Sequence, residues 1–240
     1  MITKDYEVLC EQVVRHVLVL SKKRIEERGK FTLVLSGGTT PKGVYSLMTS
    51  STYRNRFDWE KIHFFWGDER WVPPEDQKSH YRMAAESLLT RIDIPAENIH
   101  PIKIKGDDLE ASVSQYEQEI AFFFKLERGE LPRFDLILLG LGHDGHIASL
   151  FPGDSALFIM NRLVVPVSNI EIDEKRITMT LSVINRADNI FFLVSGREKA
   201  KVLQEVLEGN TNLPAHQVKL KEGMILWFAD QFAASMLNNK

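Results

Sequence analysis

FDLILLGLGHDGHIASLFPG, residues 134–153, holds the decision about the fold. Its first part, FDLILL (134–139), has the apolar run expected of a central strand buried on both faces. GLGHDG (140–145) then matches G-x-G-x-x-G, the glycine pattern of a dinucleotide-binding turn. That reading needs a helix packed after the third glycine and an acid about 20 residues further on. Pro152 stops any helix a turn or two after Gly145, because proline lacks the N–H and clashes with the preceding turn. Position 165 is a valine, and the next acid beyond it is Glu171, past Pro166. The redox reading therefore fails on context. What remains is Asp144 and His146, two residues apart in a glycine-flanked turn. A histidine near neutral pH is the usual general base, and a carboxylate beside it fixes its tautomer and supports the imidazolium. A metal site at His143 and His146 lacks H-E-x-x-H or Cys/His support. A serine nucleophile at Ser149 lacks the G-x-S-x-G elbow.

Working outward from this stretch, short apolar runs alternate with amphipathic helices. Residues 6–28 show helical spacing, with Gly29 as stop. FTLVL (31–35) and IHFFW (62–66) read as strands, IHPIKI (99–104) as a weaker one. RLVVPV (162–167), RITMTL (176–181), NIFFLV (189–194) and ILWFA (225–229) read as strands too. Thr40-Pro41 predicts a helix start, Ser79 a cap for a helix through Leu89, and Asp107 with Glu110 a capping box. Helices are predicted over 197–208 and 230–238. VSNIEIDEK, between Pro166 and Arg176, is polar and predicts a loop over one end of the sheet. The pattern is that of an α/β fold: a doubly wound, mostly parallel sheet with helices on both faces, Rossmann-like in three layers. Residues 1–240 read as a single domain, without repeat or linker.

Composition narrows the function classes. Of 240 residues, 44% are hydrophobic and 26% charged, so the chain carries enough apolar material for a globular core. The formal net charge of -3 gives no global basic field, which argues against a dedicated nucleic-acid binder. One cysteine, Cys10, allows no internal disulfide and fits a reducing compartment. Charges at Asp5, Glu7, Glu11 and Arg15 interrupt any signal-like apolar region, and no run approaches a membrane span. A soluble cytoplasmic protein is expected.

Ligands in parallel α/β sheets bind beyond the carboxyl ends of the strands. Two further loops are predicted to open there beside the Asp144/His146 turn. SGGTTPKG follows FTLVL: glycines let backbone N–H groups approach an anion, and the next helix adds its N-terminus. Ser36, Thr39 and Thr40 add hydroxyls and Lys42 a cation. It is no Walker A motif, so a phosphate monoester suits it better than a nucleoside triphosphate. A plain strand-to-helix turn is the alternative. GDERWVPP follows IHFFW, and its Arg70 can clamp a phosphate or carboxylate, with Asp68 and Glu69 orienting it or capping backbone. A solvated charged loop is the alternative there.

Taken together, SGGTTP, GDERWVP with KSHYRMAAESLL, GLGHDGHIASLFPG, and RITMTLSVINRA with SGREKAKVL resemble the 6-phosphogluconolactonase family, in the family's order and over nearly the whole chain. The fold group also includes glucosamine-6-phosphate deaminase and ribose-5-phosphate isomerase. The resemblance implies hydrolysis of 6-phospho-D-glucono-1,5-lactone to 6-phosphogluconate, in the oxidative pentose phosphate pathway, with no cofactor and no metal. It implies a small-molecule substrate, no nucleic-acid or membrane partner, and a monomer or weak homodimer. By position it makes His146 the base, Asp144 its partner and Arg70 a charge-stabilising group. Ser36, Gly37, Gly38 and Thr39 match the phosphate loop, Lys199 a second phosphate contact, and Arg176 the arginine of R-I-T. The chain departs from the pattern at His80, where S-N-Y reads Ser79-His80-Tyr81, at Ile147 after D-G-H, and in NIEIDEK before R-I-T. The deaminase continues its G-H-I-A stretch with F-N-E-P, and here the glutamate is absent from Ser149-Leu150-Phe151-Pro152. A non-catalytic sugar-phosphate sensor is the remaining alternative.

Overall fold

The computed structural model describes residues 1–104, 106–169 and 174–238. In chain order the main elements are β1 (Ile2–Thr3), α1 (Tyr6–Arg28), β2 (Phe31–Leu35), α2 (Thr39–Met48), β3 (Ile62–Trp66), β4 (Asp68–Arg70), α3 (His80–Ser87) and β5 (Ile99–His100). There follow α4 (Leu109–Phe124), β6 (Leu136–Leu139), β7 (Val164–Asn169), β8 (Glu174–Met179), α5 (Leu181–Ile184), β9 (Asn189–Val194), α6 (Ala200–Glu208) and β10 (Met224–Asp230). Seven strands form one sheet in the order β1-β10-β9-β6-β2-β3-β5, every pair parallel. β2, β6 and β9 are buried along their whole lengths, as interior strands covered on both faces must be.

The strand order fixes where a ligand can enter. From β2 the chain moves outward through α2 to β3 and through α3 to β5. From β6 it moves the other way, to β9 and then β10. Right-handed crossovers running in opposite directions put their helices on opposite faces. β2 and β6 are neighbours, so the crevice at their carboxyl ends is the topological switch point. The loops after these two strands are SGGTT and GLGHDGH.

Several expectations are corrected. Asp68–Arg70 is not loop but a strand, and β7 and β8 are not part of the parallel sheet; these three form a second, antiparallel sheet in the order β4-β8-β7. Much of VSNIEIDEK therefore belongs to β7 and β8 rather than to a loop, while residues 170–173 lie outside the described residues. α2 starts at Thr39, with Gly38 as its cap at φ 106, a backbone angle that glycine reaches without strain. The α4 cap is Asp108, whose side chain accepts from Ala111 N–H, and not Asp107. Only one 3₁₀ turn, Ala233–Met236, forms in the stretch 230–238. The Ser79 cap forms as expected, accepting from Arg82 N–H at 3.1 Å.

Candidate active site

A cleft of about 220 Å³ opens at the switch point. This is below the roughly 300–1,000 Å³ of sites for drug-sized ligands, so it suits a small polar molecule better than a dinucleotide. Ser36, Gly37, Gly38, Thr39, Arg70, His146, Arg176 and Lys199 all line it. Asp144 adjoins it through its bond to His146. Every predicted site residue is thus brought to one place, whereas Lys42 is not part of the wall.

The Ser36–Thr39 wall is built by β2 ending against α2. Tyr45, fully buried, accepts from Ser36 N–H and donates to Ser36 carbonyl, each at 2.9 Å, which pins the loop's first residue. Among the described residues, Gly37, Gly38 and Thr39 N–H groups make no hydrogen bond. Free N–H groups at a helix N-terminus favour an anion.

Opposite, the turn after β6 is closed by Gly145 N–H to Gly142 carbonyl at 3.1 Å and Gly142 N–H to His146 carbonyl at 2.9 Å. It presents His146 with Nδ1 at 2.6 Å from Asp144 Oδ1; the same oxygen accepts His146 backbone N–H at 3.1 Å. Burial pushes the Asp144 carboxyl up, but the hydrogen bond and charge of His146 outweigh it and hold it down at about 2. With Nδ1 engaged, Nε2 is the ring nitrogen free to act on a ligand. The ring packs on Phe151, centroids 4.7 Å apart. Gly142 has a steric reason to be glycine: a Cβ there lies 2.1 Å from His146 Nδ1.

The cationic wall comes from the second sheet. Arg70 and Arg176 sit directly opposite each other across β4 and β8. Like charges in that position destabilise a sheet, which suits a site for an anion better than a structural role. Glu174 moderates the pair, accepting from Arg176 at 2.8 Å and from Lys78 at 3.0 Å. Nε of each arginine has no hydrogen-bond partner among the described residues. Lys199 enters from the loop after β9, and burial draws its ammonium below the usual lysine range. That loop is held by Asp230, which accepts from Ser195 Oγ at 2.5 Å and from Gly196 N–H.

Other residues emerge only from the structure. Asp68 is 2% exposed and accepts from Ser149 Oγ at 2.7 Å, across 81 residues of sequence. Burial pushes its carboxyl up, but His80, Ser149 and Arg176 together hold it at about 2. Glu69 caps the N-terminus of α3, accepting from His80 N–H at 2.8 Å, Tyr81 N–H at 2.7 Å and Ser79 Oγ at 3.0 Å. The charges of GDER mark the segment, but nothing in sequence tells which of them points inward. Among the described residues no group of three or more His, Cys, Asp or Glu is placed to hold a metal ion. Nor is any helix among them long and apolar enough to cross a membrane.

A family model described as Glucosamine-6-phosphate isomerases/6-phosphogluconolactonase matches residues 4–227. A 6-phosphogluconolactonase of Synechocystis sp. is 42% identical over 234 residues, covering 96% of this chain and 95% of its relative. The crystal structure of 6-phosphogluconolactonase from Thermotoga maritima is 33% identical, covers 96% of this chain and 98% of its own, and superposes with a TM-score of 0.83. A monomeric glucosamine-6-phosphate deaminase is similar at 25% identity with a TM-score of 0.82, covering 98% of both chains.

Proposed function

We infer that this chain, which belongs to the glucosamine-6-phosphate isomerases/6-phosphogluconolactonase family, hydrolyses 6-phospho-D-glucono-1,5-lactone to 6-phosphogluconate. The observation that carries the reading is a base and an anion loop facing one cleft. The His146–Asp144 pair follows β6 and the open Gly37–Thr39 N–H groups follow β2, and Arg70 and Arg176 line the same cleft.

In this reading the substrate phosphate sits at Ser36–Thr39, with Lys199 closing on it. Binding energy remote from the reacting carbonyl then holds C1 near the base. His146 Nε2 takes a proton from water as the oxygen attacks C1, and a tetrahedral oxyanion forms. Asp144 supports the imidazolium. The ring C–O bond breaks, and the imidazolium returns its proton to the departing ring oxygen. The product carboxyl then ionises in solvent. Three N–H groups of the glycine turn, those of Gly142, Gly145 and His146, already have partners, so they are poor candidates for the oxyanion. Arg70, a cation that lines the cleft, is the better charge-stabilising group, and Arg176 supports it.

The deaminase likeness is the competing reading. This chain lacks the carboxylate of the deaminase's F-N-E-P pattern: Phe151 stands in its place, and its ring packs against His146 with centroids 4.7 Å apart. The expected form is a cytoplasmic monomer or weak homodimer acting on a small molecule without a cofactor. The test is to generate the lactone in situ from glucose 6-phosphate with a dehydrogenase and follow its loss over spontaneous hydrolysis. Acceleration supports the reading. No acceleration, with ammonia release from glucosamine 6-phosphate, would replace it by the deaminase.

A further inference from the structure

His80 stands apart from the residues already assigned, yet it lines the same cleft. It is 6% exposed, so its imidazole is more than nine-tenths buried. Its Nδ1 lies 3.1 Å from Asp68 carbonyl and 3.4 Å from Asp68 Oδ1. A carbonyl only accepts, so Nδ1 carries a proton. The ring's hydrogen bond among the described residues is made by Nδ1, and Nε2 lies against Gly37: a Cβ on Gly37 falls 2.1 Å from it. The ring therefore offers one unused position at the first glycine of the anion loop. The ring is held by Asp68 on one side and lines the cleft on the other, so a ligand there can take up that position.

We propose that His80 is a substrate-binding residue, whose Nε2–H donates to the phosphate of the bound sugar beside Gly37. The inference rests on the lactonase reading for the identity of the sugar. The charges facing the ring are Asp68, Glu69 and Arg70 from β4, with Arg176 of β8 beyond Asp68, while the loop after β2 brings only uncharged Gly37. Burial pulls the imidazole down, but Asp68, by charge and hydrogen bond, and then Glu69 outweigh it. Its pKa is held above the ordinary histidine value. Asp68, which would repel a phosphate, is offset by the same ring and by Arg176. Protonated, Nε2 donates to the anion; neutral, it turns a lone pair toward it.

The test compares wild type with His80→Asn, which keeps a neutral donor but cannot titrate. Dissociation constants for 6-phosphogluconate and for inorganic phosphate are measured from about pH 6 to about pH 9. Titrations shared by both proteins, Lys199 among them, are divided out by taking the ratio of the two. Near neutral pH wild type binds about tenfold tighter, as expected for a charge-assisted hydrogen bond. The advantage disappears as pH rises through the His80 pKa. A second measurement needs no variant: in ¹⁵N spectra of wild type, inorganic phosphate shifts the His80 Nε2 resonance and raises its apparent pKa. A ratio independent of pH, or a His80 resonance unmoved while phosphate binds, overturns the proposal even if the lactone is turned over. A phosphate-responsive His80 in a protein that leaves the lactone untouched overturns the lactonase reading instead.

Discussion

Gly142→Ala isolates the position of one side chain. Gly142 has no positive φ, so its backbone accepts alanine. The new Cβ lies 2.1 Å from His146 Nδ1 and 2.6 Å from Asp144 Oδ1, where ordinary contact starts at 3.4 Å. The imidazole has to move by about 1.3 Å, a distance that follows from those two contacts. Its side chain is 29% exposed, so it can swing into the cleft rather than force the core apart. The stability cost is accordingly small, under about 1.5 kcal/mol. The catalytic cost is large, because a displacement near 1 Å of a reacting group loses about 100-fold in rate. The assay is lactone loss at saturating substrate, with Tm measured alongside. The account predicts kcat down by about two orders of magnitude, with KM and Tm nearly unchanged. Wild-type kcat in this variant would refute the placement of His146 as the base. A collapse of Tm would show that the turn is structural first.

Asp144→Asn keeps an acceptor for Nδ1 but removes the charge. The depression of Asp144 to about 2 from 3.8 is worth about 2.5 kcal/mol at face value, and screening at this half-exposed site halves it. kcat should fall about tenfold with KM unchanged, and an unchanged kcat would remove the carboxylate from the mechanism. Lys199→Ala should raise KM for the lactone about tenfold or more while kcat changes little, and an unchanged KM would free it from the phosphate. Asp68→Asn breaks a buried charge network at a cost of about 3–5 kcal/mol, a Tm loss of about 10 °C measured by thermal unfolding near neutral pH. The lowered pKa of Asp68 sets the sign in acid: its contribution is full above 3.8 and lost as pH falls through about 2. The raised pKa of His80 gives the opposite sign: its contribution is full below 6.5 and lost as pH rises through its folded value. The variant should lose both slopes in Tm against pH, and a wild-type profile would contradict the pairing.

The strands FTLVL, IHFFW and NIFFLV were readable because apolar, β-rich runs of that length have few other uses, and they appear with those bounds. DER was not readable as a strand. Its charges satisfy themselves against α3 and β8 rather than alternating with apolar residues. RLVVPV and RITMTL were visible as strands, but an apolar run carries no mark of its partner's direction. They pair antiparallel outside the main sheet. In the site, the Asp144–His146 contact is local and could be read from spacing. Arg176 opposite Arg70 depends on strand register, and Ser149 on Asp68 depends on the meeting of two distant segments. His80 showed in sequence only as a departure from a family pattern; its place beneath Gly37 is a tertiary fact.

The most direct measurement is the rate of 6-phosphogluconolactone loss with wild type and with His146→Ala, each against spontaneous hydrolysis. The account predicts acceleration by wild type and a kcat lowered by about 100-fold or more in the variant, with 6-phosphogluconate still bound. Equal acceleration by both proteins would contradict it and move the base away from His146.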